Sequence, residues 1–146
     1  TFSKLANYCS STDIEIAIVT LGLDFYVEAM LEHYRLEWIP VYSVGTRFTD
    51  DGIKFEFPYA SEECGRWGIC KCSIVKRYQA RGHQVLYVGD GLNDMCPAQI
   101  SDLVFAQDQL LSLCQAEGIP HHEFRDFEDI VNDVQNLIGR RKGGEG

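Results

Sequence analysis

Residues 84–94 read Gln84-Val85-Leu86-Tyr87-Val88-Gly89-Asp90-Gly91-Leu92-Asn93-Asp94, and this stretch decides the fold. The run to Val88 is short, apolar and branched, the pattern of a strand buried on both faces. Gly89 to Asn93 forms the loop after it, so Asp90 and Asp94 stand four residues apart just beyond the strand's C-terminal end. In open α/β sheets that edge is where ligands bind. Glycines on either side of Asp90 permit a tight turn and close backbone approach. Magnesium takes hard oxygen ligands and keeps several waters, so Asp90, Asp94 and a substrate phosphate suffice to hold it. Gly, Asn and Asp also compose ordinary turns; the buried strand running straight into two acids favours the metal site.

Outward from this stretch, strands and helices alternate. Phe2, Leu5, Ala6 and Cys9 fall at helical spacing. Glu15 to Thr20 reads as a buried strand, Phe25 to Tyr34 as an amphipathic helix with Asp24 near its start, and Ile39 to Val44 as a second strand. Arg47 to Phe57 alternates apolar and polar residues around Asp51-Gly52, a hairpin signal, with Phe48, Ile53, Phe55 and Phe57 as apolar teeth and Pro58 as its stop. A polar stretch then leads to a helix from Cys70 to Arg81, closed by Gly82. Beyond Asp94 come a turn or helix over Met95–Ile100, a strand at Leu103–Ala106, a helix over Gln107–Glu117, an extended piece at His122–Phe124 and a last helix over Phe127–Leu137. This order predicts an α/β fold, a mostly parallel sheet with helices on both faces and a small hairpin. It occupies one domain, residues 1–138, followed by a flexible polar tail at 139–146.

Composition narrows the function. The chain has 146 residues, 45% of them hydrophobic, with 22 acidic against 13 basic residues and a net charge of −9. No basic footprint is available for nucleic acid or an acidic membrane; Arg140, Arg141 and Lys142 lie among glycines and read as part of the tail. No apolar run reaches the roughly 18 residues a membrane span requires, and the first residues do not read as a secretory leader. A cytoplasmic protein is therefore expected, with Cys9, Cys64, Cys70, Cys72, Cys96 and Cys114 as reduced thiols. A soft metal set of Cys64, Cys70 and Cys72 lacks a paired knuckle and a fourth ligand. His33, His83, His121 and His122 do not converge on a site, and no Ser–His–Asp set, G-x-S-x-G elbow or P-loop is present.

Two further positions carry chemistry. Thr20 ends the first predicted strand, and its hydroxyl with the amides of Leu21-Gly22 can cradle a phosphoryl oxygen or simply cap the following turn. Lys71 starts the Cys70–Arg81 helix with little polar company in its neighbours Gly68, Ile69, Cys70 and Cys72. It is either a solvated surface charge or a cation that offsets the carboxylates and binds phosphate.

Thr20, Lys71 and Gly89-Asp90-Gly91-Leu92-Asn93-Asp94 stand in the order and rough spacing of the second, third and fourth motifs of the haloacid dehalogenase (HAD) superfamily, which the chain resembles. TLGLDFYVEAML (20–31), FPY (57–59), CGRWGICK (64–71), YVGDGLNDMCPA (87–98) and SDLVFA (101–106) are similar to its phosphoserine-phosphatase-like branch. Within that branch the likeness is to phosphatases of a methylthio-ketopentenyl phosphate in methionine salvage and to phosphocholine/phosphoethanolamine phosphatases. The resemblance implies a Rossmannoid fold and magnesium-dependent hydrolysis of a small phosphorylated metabolite through an aspartyl-phosphate. It assigns magnesium to Asp90, with Asp94 supporting the metal directly or through water. Phosphoryl oxygens go to Thr20 and the Gly22 amide, and charge balance to Lys71.

The family's first motif, D-x-D after a hydrophobic strand, has no match. The residues before Thr20 hold a single aspartate, Asp13, which precedes a strand rather than following one, and Asp50-Asp51 belongs to the hairpin turn. The nucleophile and the acid/base aspartate are thus expected to be missing, together with the central strand and the cap that follow from the same segment. Without that strand, the strands ending at Thr20 and Val88 face a gap of about 10 Å. Three outcomes are open: a longer protein, another chain completing the sheet, or a closed-up, inactive module with a binding or regulatory role.

Overall fold

A computed structural model describes residues 2–56 and 70–144. The FPY likeness, Cys64, Gly68 and the rest of 57–69 lie outside the described residues, as do 145–146. The elements run α1 (Phe2–Ser10), β1 (Ile18–Leu23), α2 (Asp24–His33), β2 (Val41–Thr49), β3 (Gly52–Glu56), α3 (Lys71–Ala80), β4 (Leu86–Gly89), α4 (Met95–Ile100), β5 (Leu103–Ala106), α5 (Asp108–Glu117), β6 (His122–Glu123) and α6 (Phe127–Gly144). A 3₁₀ turn at Leu92–Asp94 joins β4 to α4. The expected α/β class and its parallel strands hold.

The strands form two separate sheets, ordered β1-β2-β3 and β4-β5-β6. β1 and β2 are parallel, as are β4, β5 and β6; β2 and β3 form the antiparallel hairpin. Among the described residues no strand pairs β1 with β4, so the sheet has not closed up over the position expected for a central strand.

β5 shows why these short apolar runs become covered strands. Val104 and Ala106 pack with Ala98 of α4 and with Leu110 and Cys114 of α5. On the opposite face Phe105 packs with Phe124 and with Ile130 and Val134 of α6. Period-two alternation with both sets apolar requires helices on both sides. β4 follows the same register: Tyr87 lies beside Val104, while Leu86 and Val88 join the α6 face. Around β1 and β2, Ile18 and Val41 pack with Leu31, Leu36, Ile39 and Ala6.

α1 bridges the two sheets. Its Phe2 and Ala6 belong to the β1–β2 cluster, whereas Leu5 and Tyr8 pack on the α6 side. Further ties are the hydroxyl–hydroxyl hydrogen bond of Tyr42 and Tyr78 at 3.0 Å, between β2 and α3, and the Arg81–Glu15 ion pair at 3.5 Å.

Several sequence expectations shift. β1 lies three residues later than Glu15–Thr20 suggested. It continues past Thr20 to Leu23, with an irregular register between Val19 and Leu23. The hairpin closes with Thr49 opposite Gly52, so Asp50-Asp51 forms its tip rather than Asp51-Gly52. Its apolar teeth Phe48, Ile53 and Phe55 are exposed: the Phe25 ring of α2 reaches Phe48, with centroids 5.7 Å apart, but does not bury it. Residues 139–144, read from the sequence as a polar tail, continue α6. No helix among the described residues is long and apolar enough to cross a membrane.

Candidate active site

The C-terminal end of β4 carries the site. The 3₁₀ turn after Gly91 folds the chain back, so the Asp94 carboxylate reaches the amides of its own loop: Asp90 N and Gly91 N each donate to Asp94 Oδ2 at 3.0 Å. This fold-back needs a glycine at 89. A Cβ there would lie 2.7 Å from Asp94 Cγ and Oδ2, closer than any real contact. The other carboxylate oxygen takes two side-chain donors, Lys71 Nζ at 2.8 Å and the Tyr87 hydroxyl at 2.5 Å.

Asp94 is 3% exposed and both its oxygens are engaged. A buried carboxylate without partners would be neutral. Burial pushes the Asp94 carboxyl up, but hydrogen bonds from Lys71, Tyr87 and the Gly91 amide outweigh it and hold the group below the ordinary carboxylate range. Tyr87 shifts the other way: burial and the adjacent Asp94 charge raise its hydroxyl far above the usual tyrosine value, so it stays a neutral donor. Lys71, whose side chain is 10% exposed, is thus not a solvated surface charge but half of a buried ion pair.

Asp90 is the contrasting neighbour. It is exposed, and among the described residues no hydrogen bond or ion pair involves its side chain. Its backbone is fixed: its amide donates to Asp94, and its carbonyl accepts from Leu110 N at 3.1 Å. A rigid backbone with an uncommitted carboxylate suits a hard divalent cation, which Asp90 would hold together with water and phosphate oxygens. Asp94 fits a supporting role better than direct ligation, because a direct bond would displace Lys71, Tyr87 or two amides. Among the described residues no three His, Cys, Asp or Glu side chains cluster closely enough to hold a metal by themselves.

Thr20 and Gly22 form the second part. The register irregularity of β1 falls on them, and Gly22 N donates to Thr20 Oγ1 at 3.0 Å. The hydroxyl therefore caps its own turn, and the Gly22 amide is satisfied from within. Beside this turn, the first residue of α2, Asp24, accepts from the Phe25 and Thr46 amides and from the Thr46 hydroxyl, tying the hairpin to α2. The structure thus brings together Lys71, Asp94 and the Asp90 loop, and separately Thr20 with Gly22. No hydrogen bond or ion pair among the described residues joins the two groups.

Two features escaped the sequence reading. Cys72 and Cys96 form a disulfide, with Cα atoms 6.2 Å apart, linking α3 to α4 immediately beside Lys71 and Asp94. The expectation of reduced thiols is corrected for this pair, which two packed helices bring together across 24 residues of sequence. Cys70 instead caps α3, its Sγ accepting from Ser73 N at 3.3 Å. The other missed residue is Tyr87. Within a buried strand it reads as core, and the available signal was that a buried tyrosine hydroxyl requires a partner.

Comparison with known proteins decides the family. The sequence profile of a family described as Putative Phosphatase matches residues 2–109, which include Thr20, Lys71, Asp90 and Asp94. The chain belongs to that family. A 2-hydroxy-3-keto-5-methylthiopentenyl-1-phosphate phosphatase of Brevibacillus brevis is 30% identical over 138 residues, 93% of this chain and 62% of the relative. The protein of the same name from Exiguobacterium sibiricum is 32% identical over 136 residues, again 62% of its length. A bifunctional enzyme MtnB/MtnX of Bacillus licheniformis is 32% identical over 131 residues, 88% of this chain and 30% of the relative. The HAD-like phosphatase resemblance read from the motifs is thereby established. The chain spans less than two thirds of the length of these relatives.

Proposed function

We propose that this chain supplies the phosphate- and magnesium-handling half of a phosphomonoester hydrolase that works through an aspartyl-phosphate. The observation that carries the reading is the buried Lys71–Asp94 ion pair beside the exposed, backbone-fixed Asp90 at the end of a covered strand. Magnesium, when bound, would neutralise phosphate charge and orient the phosphoryl group. Asp90 would hold it there, while Asp94 fixes the loop and keeps the Lys71 ammonium in place. Lys71 contributes positive charge in a desolvated position, where it acts most strongly on a phosphoryl group gaining negative charge. The Thr20 hydroxyl would donate to a phosphoryl oxygen, and the Gly22 amide, on leaving Thr20 Oγ1, would donate to the same phosphate.

On this reading the nucleophilic aspartate and the second, acid/base aspartate come from outside these 146 residues, on a strand or chain that fits between β1 and β4. The names of the relatives suggest a small phosphorylated metabolite of the methylthio-ketopentenyl class as substrate. A cytoplasmic setting suits such a metabolite.

The test joins a strand carrying a D-x-D motif upstream of residue 1 and assays magnesium-dependent hydrolysis of that phosphate and of a generic aryl phosphate. The expected result is turnover in the joined protein, none in the 146-residue chain, and loss of at least a hundredfold on Asp90→Ala or Lys71→Ala, in line with removal of a transition-state electrostatic contact. A joined protein that folds and stays inactive would favour the second reading, a non-catalytic binding or regulatory module. Exposed aromatic residues on the hairpin and α2 are the observation behind that second reading.

A further inference from the structure

Tyr87 has no role in the chemistry just described, yet its hydroxyl lies at the centre of the half-site. The residue sits on β4 beside Val104 of β5, is 8% exposed, and donates to the same Asp94 oxygen that Lys71 reaches. The opposite oxygen of that carboxylate holds the amides of Asp90 and Gly91. Rotation about the Asp94 side chain would therefore disturb both ends together. Lys71 alone cannot prevent such rotation, because an ammonium on a flexible stem follows the carboxylate it pairs with. A phenol on a covered strand can, because its ring is fixed by packing and its hydroxyl reaches one place.

We propose that Tyr87 is a positioning residue: its hydroxyl locks the Asp94 carboxylate in the rotamer that holds Lys71 on one oxygen and the Asp90 loop on the other. Its importance for phosphate chemistry rests on the phosphatase reading, but the lock itself does not. Being neutral, the phenol adds a donor without adding a second cation. Asp94 and Lys71 therefore remain a balanced pair, and Asp90 remains the uncompensated carboxylate facing outward.

The test measures backbone amide exchange by NMR in the full 146-residue chain, without metal or phosphate. Tyr87→Phe should accelerate exchange at Asp90 and Gly91 by about tenfold, the cost of loosening a hydrogen-bonded carboxylate, and leave the β5 amides unchanged. In an Asp94→Asn background the same substitution should add nothing, since Tyr87 acts through Asp94. Unchanged exchange at Asp90 and Gly91, equal acceleration across β5, or additive effects with Asp94→Asn would overturn the proposal and leave Tyr87 as a packed core residue. Should Tyr87→Phe fail to fold, the native chain decides: the Tyr87 hydroxyl proton should be protected from exchange, and rapid exchange there would overturn the lock. None of these readouts depends on turnover, so failure of the phosphatase reading leaves them intact, and the reverse also holds.

Discussion

In sheet β4-β5-β6 the strands β4 and β5 are covered on both faces, with Phe105, Leu110 and Ile130 fully buried and the Asp94 carboxylate enclosed by four donors. Sheet β1-β2-β3 contains the same number of strands but leaves its hairpin and the flank of α2 open, with Tyr26 and Phe48 each 66% exposed. Their site residues differ in the same way. Lys71 and Asp94 are paired with each other in a prepared arrangement, whereas Thr20 accepts the amide of Gly22 two residues on. A half-site held by its own core can be organised without substrate. One that caps itself can offer the Gly22 amide to a ligand only by breaking its bond to Thr20.

The sharpest way to break this contrast is at Asp94. Asp94→Ala leaves Lys71 buried without its counter-charge and should destabilise the chain by about 4 kcal/mol in urea unfolding. The pH dependence carries the same signature. Because the Asp94 carboxyl is held below its ordinary value, its contribution is complete above the unfolded carboxylate pKa of about 3.9 and is lost as pH falls through the lower folded value. Asp94→Asn should flatten that acid limb of the stability curve.

Core truncation separates the two sheets next. Leu110→Ala, beneath β5, should cost about 3 kcal/mol through the cavity it leaves, whereas Phe48→Ala on the open hairpin should stay within about 0.5 kcal/mol. Comparable losses at both positions would mean that the hairpin face is covered in solution. Reduction of Cys72–Cys96 should cost about 2–3 kcal/mol by releasing a 24-residue loop in the unfolded chain, read as the shift in urea midpoint with and without dithiothreitol. Thr20→Val, which removes the acceptor of the Gly22 amide, should cost about 1 kcal/mol, with no change at the β4 end.

The β4 half was the more legible in the sequence. α4 and β5 fall on the residues their apolar pattern marked, and Lys71 reaches Asp94, whose carboxylate also holds the backbone amide of Asp90. Local rules decide such features: a strand, a glycine turn and a carboxylate that folds back within four residues. β1 was misplaced because Ile16 and Ala17 look as apolar as their successors, while the ladder is set by Val41 and Tyr42 from β2. Glu15 instead turns to Arg81 and His83. The Cys72–Cys96 bond and the Tyr87–Asp94 contact depend on how elements pack, and no spacing along the chain encodes that. The hairpin was recognised as a hairpin, but alternation predicts one buried face only when something covers it.

The central claim, that Asp90 faces the metal while Asp94 supports it, is tested most directly by manganese titration of the isotopically labelled chain. Paramagnetic broadening should centre on residues 89–94, disappear in Asp90→Ala, and persist at higher metal concentration in Asp94→Asn. Broadening that survives Asp90→Ala, or that centres on the acidic cleft lined by Glu123, Asp129 and Asp133, would contradict it.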